Sequence, residues 1–205
     1  MPNAAPPLRG IYALVEPERQ PVEPYVAALL AGGIRLFQIR AKRGVPHEML
    51  AAVVTMVRAA GGLTIVNDDV EAAAEADGVH LGQEDAALHD LHAVRERLRG
   101  KIIGLSCSTP AEARAADPAI IDYLGVGPLF ATASKADAGP PLGVNGARAA
   151  VTATALPAAV IGGIDLACLL RARETGAAMA AIISALSSAT DVTATARALV
   201  TAWTS

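Results

Sequence analysis

Three basic side chains, Arg40, Lys42 and Lys135, and two carboxylates, Asp68 and Asp85, stand where short apolar runs give way to polar ones. Cations gathered at one rim bind an anion. Two carboxylates on adjacent strands can share one hard divalent cation, and Mg2+ is commonly held by one or two carboxylates plus substrate phosphate oxygens. Together these five residues describe a diphosphate site. A second group, Gly162-Gly163 and Ser184, follows two later apolar runs, where backbone N–H groups can hold a phosphate. Gln38, Asn67, Ser106, Thr132 and Ser134 occupy equivalent places at or just after run ends. The grouping has meaning only if the fold brings those run ends to one side of the molecule.

The rest of the chain supplies such a fold. Aliphatic runs predict strands over 11–15, 36–40, 63–67, 78–81, 102–106, 123–127, 158–162 and 180–184. Between them, Ala-rich stretches of helical period predict helices over 23–31, 47–60, 70–76, 87–98, 110–115, 147–155 and 166–175, with a last one over 192–203. Gly32-Gly33, Gly61-Gly62, Gly100 and Gly176 stand where C-terminal caps belong. Eight strand–helix units without a composition break predict an α/β fold, a single-domain (β/α)8 TIM barrel over residues 1–205, with 1–9 as a flexible extension. An open doubly wound sheet is the alternative, although it more often uses five or six strands. One connection breaks the rhythm: FATASKADAGPPLGVNG at 130–146 has no periodicity, and its lysine and hydroxyls suit a lid over an anion.

Composition narrows the function classes. Hydrophobic residues make up 53% of the 205, enough for a large core, while aromatics are only 3%, so that core rests on small aliphatics. A net charge of −3 excludes an extended nucleic-acid surface. Cys107 and Cys168 lack metal-ligand spacing and are expected as separate thiols in a reducing compartment. No apolar run is long enough to span a bilayer, and the Pro-rich start lacks the apolar stretch of a signal peptide, so the cytoplasm is the expected location.

Taken singly, each residue has an ordinary explanation. Asp68 or Asp69 suits the cap of a following helix, Asp69 the more so, and Asp85 equally suits a cap. Arg40, Lys42 and Lys135 suit a solvated surface, His80 and Tyr12 a barrel interior, and Ser106 and Ser184 small core positions. His47, His89 and His92 fall in helical segments and are expected at the surface.

The ordered set of motifs resembles the thiamine-phosphate synthases. It comprises QIRAK at 38–42, VNDDVEAAAEADGVHLGQED at 66–85, GLS at 104–106, DYLGVGPLFATASKAD at 122–137, IGGI at 161–164 and IISAL at 182–186. The resemblance covers nearly the whole chain, with one block per strand end. It implies that Gln38, Ile39, Arg40, Ala41, Lys42 and Asn67 hold a pyrimidine diphosphate, joined by Ser106 and Lys135. It implies Mg2+ on Asp68 and Asp85, and a thiazole phosphate on Thr132, Ala133, Ser134, Gly163, Ile183 and Ser184. Tyr12 and His80 would line the pyrimidine pocket, and Lys135, Arg40 and Ser106 would act on the departing diphosphate. The implied partners are these two small substrates and, in some cases, further copies of the chain.

The sequence departs from the family at Ser108, where a histidine is frequent, and in the alanines Ala131, Ala133 and Ala136 of the 130–146 connection. The related thiazole tautomerases use a histidine in that region, so Ser108 counts against a tautomerase. A barrel that binds thiazole or thiamine phosphate without turnover is the non-enzymatic alternative.

Overall fold

The computed structural model describes residues 8–41, 44–132 and 139–205. Among them β1 (Gly10–Val15), β2 (Leu36–Ile39), β3 (Leu63–Asn67), β4 (Gly78–Leu81), β5 (Ile102–Cys107), β6 (Tyr123–Val126), β7 (Ala158–Ile161) and β8 (Met179–Ile182) pair in sequence order. All pairs are parallel, and β8 returns to β1, closing the barrel. The expected (β/α)8 TIM barrel is therefore the observed one.

Alternation along each strand divides the side chains between two cores. Tyr12 and Leu14 of β1 point inward, where they pack with Leu36, Ile65, Tyr123 and Met179. Ile11, Ala13 and Val15 point outward and join a larger cluster between the sheet and the helices. Helix α1 (Val22–Ala31) buries Val22, Tyr25, Val26 and Leu29, and α2 (His47–Ala59) buries Leu50, Val53, Val54 and Val57. Both sets follow the i, i+3, i+4, i+7 spacing that makes one helical face apolar.

The other helices are α3 (Gln83–Ala87), α4 (Leu91–Arg97), α5 (Pro110–Ala115), α6 (Gly143–Val151), α7 (Leu169–Arg173), α8 (Ser184–Ser187) and α9 (Val192–Thr204). Helix α9 closes the ring against α1 where Gly32 leaves room: a Cβ there would stand 2.4 Å from the Ala196 Cβ. No helix among the described residues is long and apolar enough to cross a membrane.

Several sequence expectations need correction. The helix expected over 147–155 runs from Gly143 to Val151 and so takes the end of the 130–146 connection. The helix expected over 70–76 is only a 3-10 turn, Ala72–Ala74, which Asp69 caps by accepting the Ala72 N–H at 2.9 Å. The helix expected over 87–98 begins only at Leu91, because α3 ends at Ala87 and Asp90 accepts the N–H groups of His92 and Ala93 and starts α4 afresh. The eighth strand stops at Ile182, and Ser184 opens α8 instead of ending the strand.

Candidate active site

The C-terminal strand ends surround a cavity of about 580 Å3. Of the residues expected at a site, Tyr12, Gln38, Arg40, Asn67, Asp68, His80, Asp85, Ser106, Thr132, Gly163, Ile183 and Ser184 line it. Ile39 does not: the strand's alternation turns its side chain into the core between sheet and helices, leaving only its backbone near the rim. Ala41 is half-buried and also stands off the cavity. Lys42, Ala133, Ser134 and Lys135 lie outside the described residues.

The turn after β3 builds the acidic corner. Asp68 has φ +61°, a left-handed conformation that Asp and Asn tolerate better than most residues. That twist lets its N–H donate to the His80 carbonyl at 2.8 Å while its Oδ1 accepts the Gly82 N–H at 3.1 Å. Asn67 donates its side-chain amide to Asp68 Oδ2. Asp85 reaches the same corner from the first turn of α3, with its Oδ2 2.7 Å from where a Cβ on Gly82 would sit. Burial pushes the Asp68 carboxyl above the ordinary range. The Gly82 N–H opposes that shift, the neighbouring Asp85 reinforces it, and Arg40 opposes it weakly.

Arg40 is held from behind. It follows β2, and its Nη1 donates to Glu16 Oε1 at 2.8 Å. Glu16 is 4% exposed and also pairs with Arg19. The rule that found Arg40, a polar residue directly after an apolar run, applies equally to Glu16 after β1, yet sequence reading passed over it.

The floor is aromatic and polar. Tyr123 Oη lies 2.9 Å from Tyr12 Oη and 2.9 Å from His80 Nδ1, and His80 Nε2 lies 3.1 Å from Ser106 Oγ. Two inward-facing glycines make this possible. A Cβ on Gly104 would stand 2.2 Å from the Tyr123 ring, and one on Gly125 would stand 2.8 Å from the His80 ring. Tyr123 was missed in the sequence, where it reads as a strand aromatic; inward alternation with Gly125 is the signal that locates it. Gly104→Ala is expected to destabilise the fold by about 1–3 kcal/mol through overpacking. A thermal melt identical to that of the unaltered chain would show that the ring does not need this space.

The opposite wall is backbone. Gly162 and Gly163 have φ of +106° and +62°, and a Cβ on Gly163 would stand 2.5 Å from the Ala131 carbonyl. Beside them the first turn of α8 opens at Ile183 and Ser184, bringing helix N-terminal N–H groups to the rim. Ser108, the departure from the family, is occupied locally: its N–H donates to Glu112 Oε2 at 2.6 Å and its hydroxyl donates to the same carboxylate. Cys107 is buried, which pushes its thiol up and disfavours the thiolate.

Comparison with known proteins agrees with this geometry. The family model for thiamine monophosphate synthase matches residues 11–186. The thiamine-phosphate synthase of Moorella thermoacetica is 42% identical over 187 residues, covering 88% of this chain and 87% of that one. That of Chloroflexus aurantiacus is 40% identical over 180 residues, covering 85% and 82% respectively. The solved thiamine phosphate pyrophosphorylase from Pyrococcus furiosus superposes with a TM-score of 0.86 at 30% identity, covering 95% of each chain. The chain belongs to the thiamine monophosphate synthase family.

Proposed function

We propose that the chain is a thiamine-phosphate synthase, a transferase joining 4-amino-2-methyl-5-hydroxymethylpyrimidine diphosphate to a thiazole phosphate with release of pyrophosphate. The observation that supports this best is the meeting of Arg40, Asp68 and Asp85 with Gly163 and Ser184 around one cavity. The first three suit a metal-bound diphosphate, the last two a phosphate monoester. The two substrates then face each other over the aromatic floor.

The acidic corner fits Mg2+. Among the described residues no group of three or more His, Cys, Asp and Glu side chains forms a closed metal site. Two adjacent carboxylates with open positions are instead what a Mg2+ sharing its shell with water and diphosphate oxygens requires. When bound, Mg2+ would supply positive charge to the departing diphosphate. Asp68 and Asp85 would hold it.

This chain's own residues do the rest. Gln38 and Asn67 orient the diphosphate end, and Arg40 and Ser106 place positive charge and a hydroxyl where negative charge accumulates as pyrophosphate leaves. Lys42 and Lys135, beyond the described residues, add cations to that reading. Departure leaves a pyrimidine-stabilised carbocation, and the thiazole nitrogen attacks it. Tyr12, Tyr123 and His80 wall the pyrimidine side. Thr132, Gly163, Ile183 and Ser184 hold the thiazole phosphate. No nucleophilic side chain is needed. A cytoplasmic setting suits an enzyme of small phosphorylated substrates with free Cys107 and Cys168.

Acid should weaken the metal site early. Mg2+ takes the ionised carboxylate, while the protein holds the Asp68 proton more tightly than an ordinary aspartate does. Each metal ion bound below that raised value must expel a proton. Mg2+ affinity is therefore expected to fall, as pH is lowered, at a higher pH than ordinary aspartate titration would give. Calorimetric Mg2+ titrations across the acid range check this; pH-independent affinity would contradict it.

The functional test is a two-substrate assay with Mg2+. Equal amounts of thiamine phosphate and pyrophosphate are expected. Binding of both phosphates without turnover would favour the carrier alternative. Rearrangement of the thiazole alone would favour a tautomerase, which the engaged Ser108 disfavours.

A further inference from the structure

Five side chains cross the barrel mouth in one continuous hydrogen-bonded series. Gln38 Nε2 donates to Tyr12 Oη at 3.0 Å, and Tyr12 Oη lies 2.9 Å from Tyr123 Oη. Tyr123 Oη lies 2.9 Å from His80 Nδ1, and His80 Nε2 lies 3.1 Å from Ser106 Oγ. Each tyrosine hydroxyl has one hydrogen to give. With each of those hydrogens spent within the series, a hydroxyl that accepts from one neighbour donates to the other, and two directions are then self-consistent.

Gln38 selects between them. Its NH2 group can only donate, so Tyr12 accepts there and donates to Tyr123. Tyr123 in turn donates to His80 Nδ1, which puts the imidazole hydrogen on Nε2. That hydrogen goes to Ser106 Oγ, so the Ser106 hydrogen is directed away from His80. In the opposite direction Ser106 would donate to His80 and present only lone pairs to the cavity. An anion would be repelled by that arrangement.

The geometry points to Tyr123 as a positioning residue that, through His80, fixes the Ser106 hydroxyl as a donor toward the anionic leaving group. This rests on the reading of Ser106 as a diphosphate contact. Burial pushes both tyrosine hydroxyls well up, so each keeps the hydrogen that the series requires in either direction. Gly104 and Gly125 leave the space that the Tyr123 and His80 rings fill.

Long-range 1H–15N spectra of the full chain without substrates test the direction, with the His80 signals identified by their loss in His80→Asn. The Nε2–H pattern is expected for His80 in the unaltered chain. In Tyr123→Phe the pattern should move toward mixed tautomers, with kcat reduced about tenfold and KM for the thiazole phosphate unchanged. An Nδ1–H pattern in the unaltered chain would overturn the proposal, as would a Tyr123→Phe variant that keeps both pattern and kcat. If Tyr123→Phe fails to fold, the spectrum of the unaltered chain still decides the direction. The Nε2–H pattern in an unaltered chain without turnover would uphold the direction and reject the synthase reading.

Discussion

Asp68→Asn is expected to reduce turnover by about 10²- to 10³-fold and, in Mg2+-free buffer, to raise the melting temperature. The first effect follows from removing one of two metal carboxylates beside the leaving diphosphate. The second follows from the sign of the Asp68 shift. Its carboxyl is pushed up by burial, and Asp85 adds to that. The ionised form is thus disfavoured in the folded state, and stability is lost as pH rises from the ordinary aspartate value through the raised one. A neutral amide removes that penalty. Asn suits the backbone at φ +61°, which would penalise Ala independently of charge. Its single amide oxygen keeps only one of the two N–H partners of Asp68, so the rise is net of that loss. Melting curves with and without Mg2+, read beside steady-state rates, check both effects. A rate close to that of the unaltered chain would remove Asp68 from the mechanism.

Arg40→Ala is expected to lower kcat/KM for the pyrimidine diphosphate by about 10²- to 10³-fold and also to lower the melting temperature. The activity loss comes from taking fixed positive charge away from the diphosphate. The stability loss has a separate origin, the Glu16 carboxylate left behind at 4% exposure. It should stay below the roughly 3–5 kcal/mol typical of breaking a fully buried pair. Arg19 still contacts Glu16, and the Arg40 side chain is 21% exposed. The double variant Glu16→Gln/Arg40→Ala separates the two effects: melting temperature should recover, activity should not. Recovery of both would mean that Arg40 matters only as the partner of Glu16.

Both residues were visible in the sequence for the same reason. Polar side chains directly after apolar runs mark strand ends, and a closed parallel barrel places every such end on one face. The eight strands were legible because aliphatic runs bounded by glycine and polar residues leave little ambiguity. What was not legible came from hydrogen bonds that act at short range. Asp90 restarts a helix in the middle of a stretch with continuous helical period. Asp69 caps a single turn where seven residues of helix were expected. Ile39 fell inside a functional motif but points away from the cavity, because alternation along a strand overrides membership of a motif. Tyr123 was hidden for the opposite reason: it looks like core, and only two glycines on neighbouring strand positions show that a cluster of polar rings fills that space. Lys42 and Lys135, named from their places after apolar runs and from the resemblance, lie outside the described residues.

Calorimetric binding of pyrophosphate, with and without Mg2+, tests most directly whether this rim is built for a metal-bound diphosphate. One pyrophosphate per chain should bind in the presence of Mg2+, with affinity that collapses on chelation or in Asp68→Asn. Equal affinity under all three conditions would show that the carboxylates and Arg40 share a cavity without sharing that task.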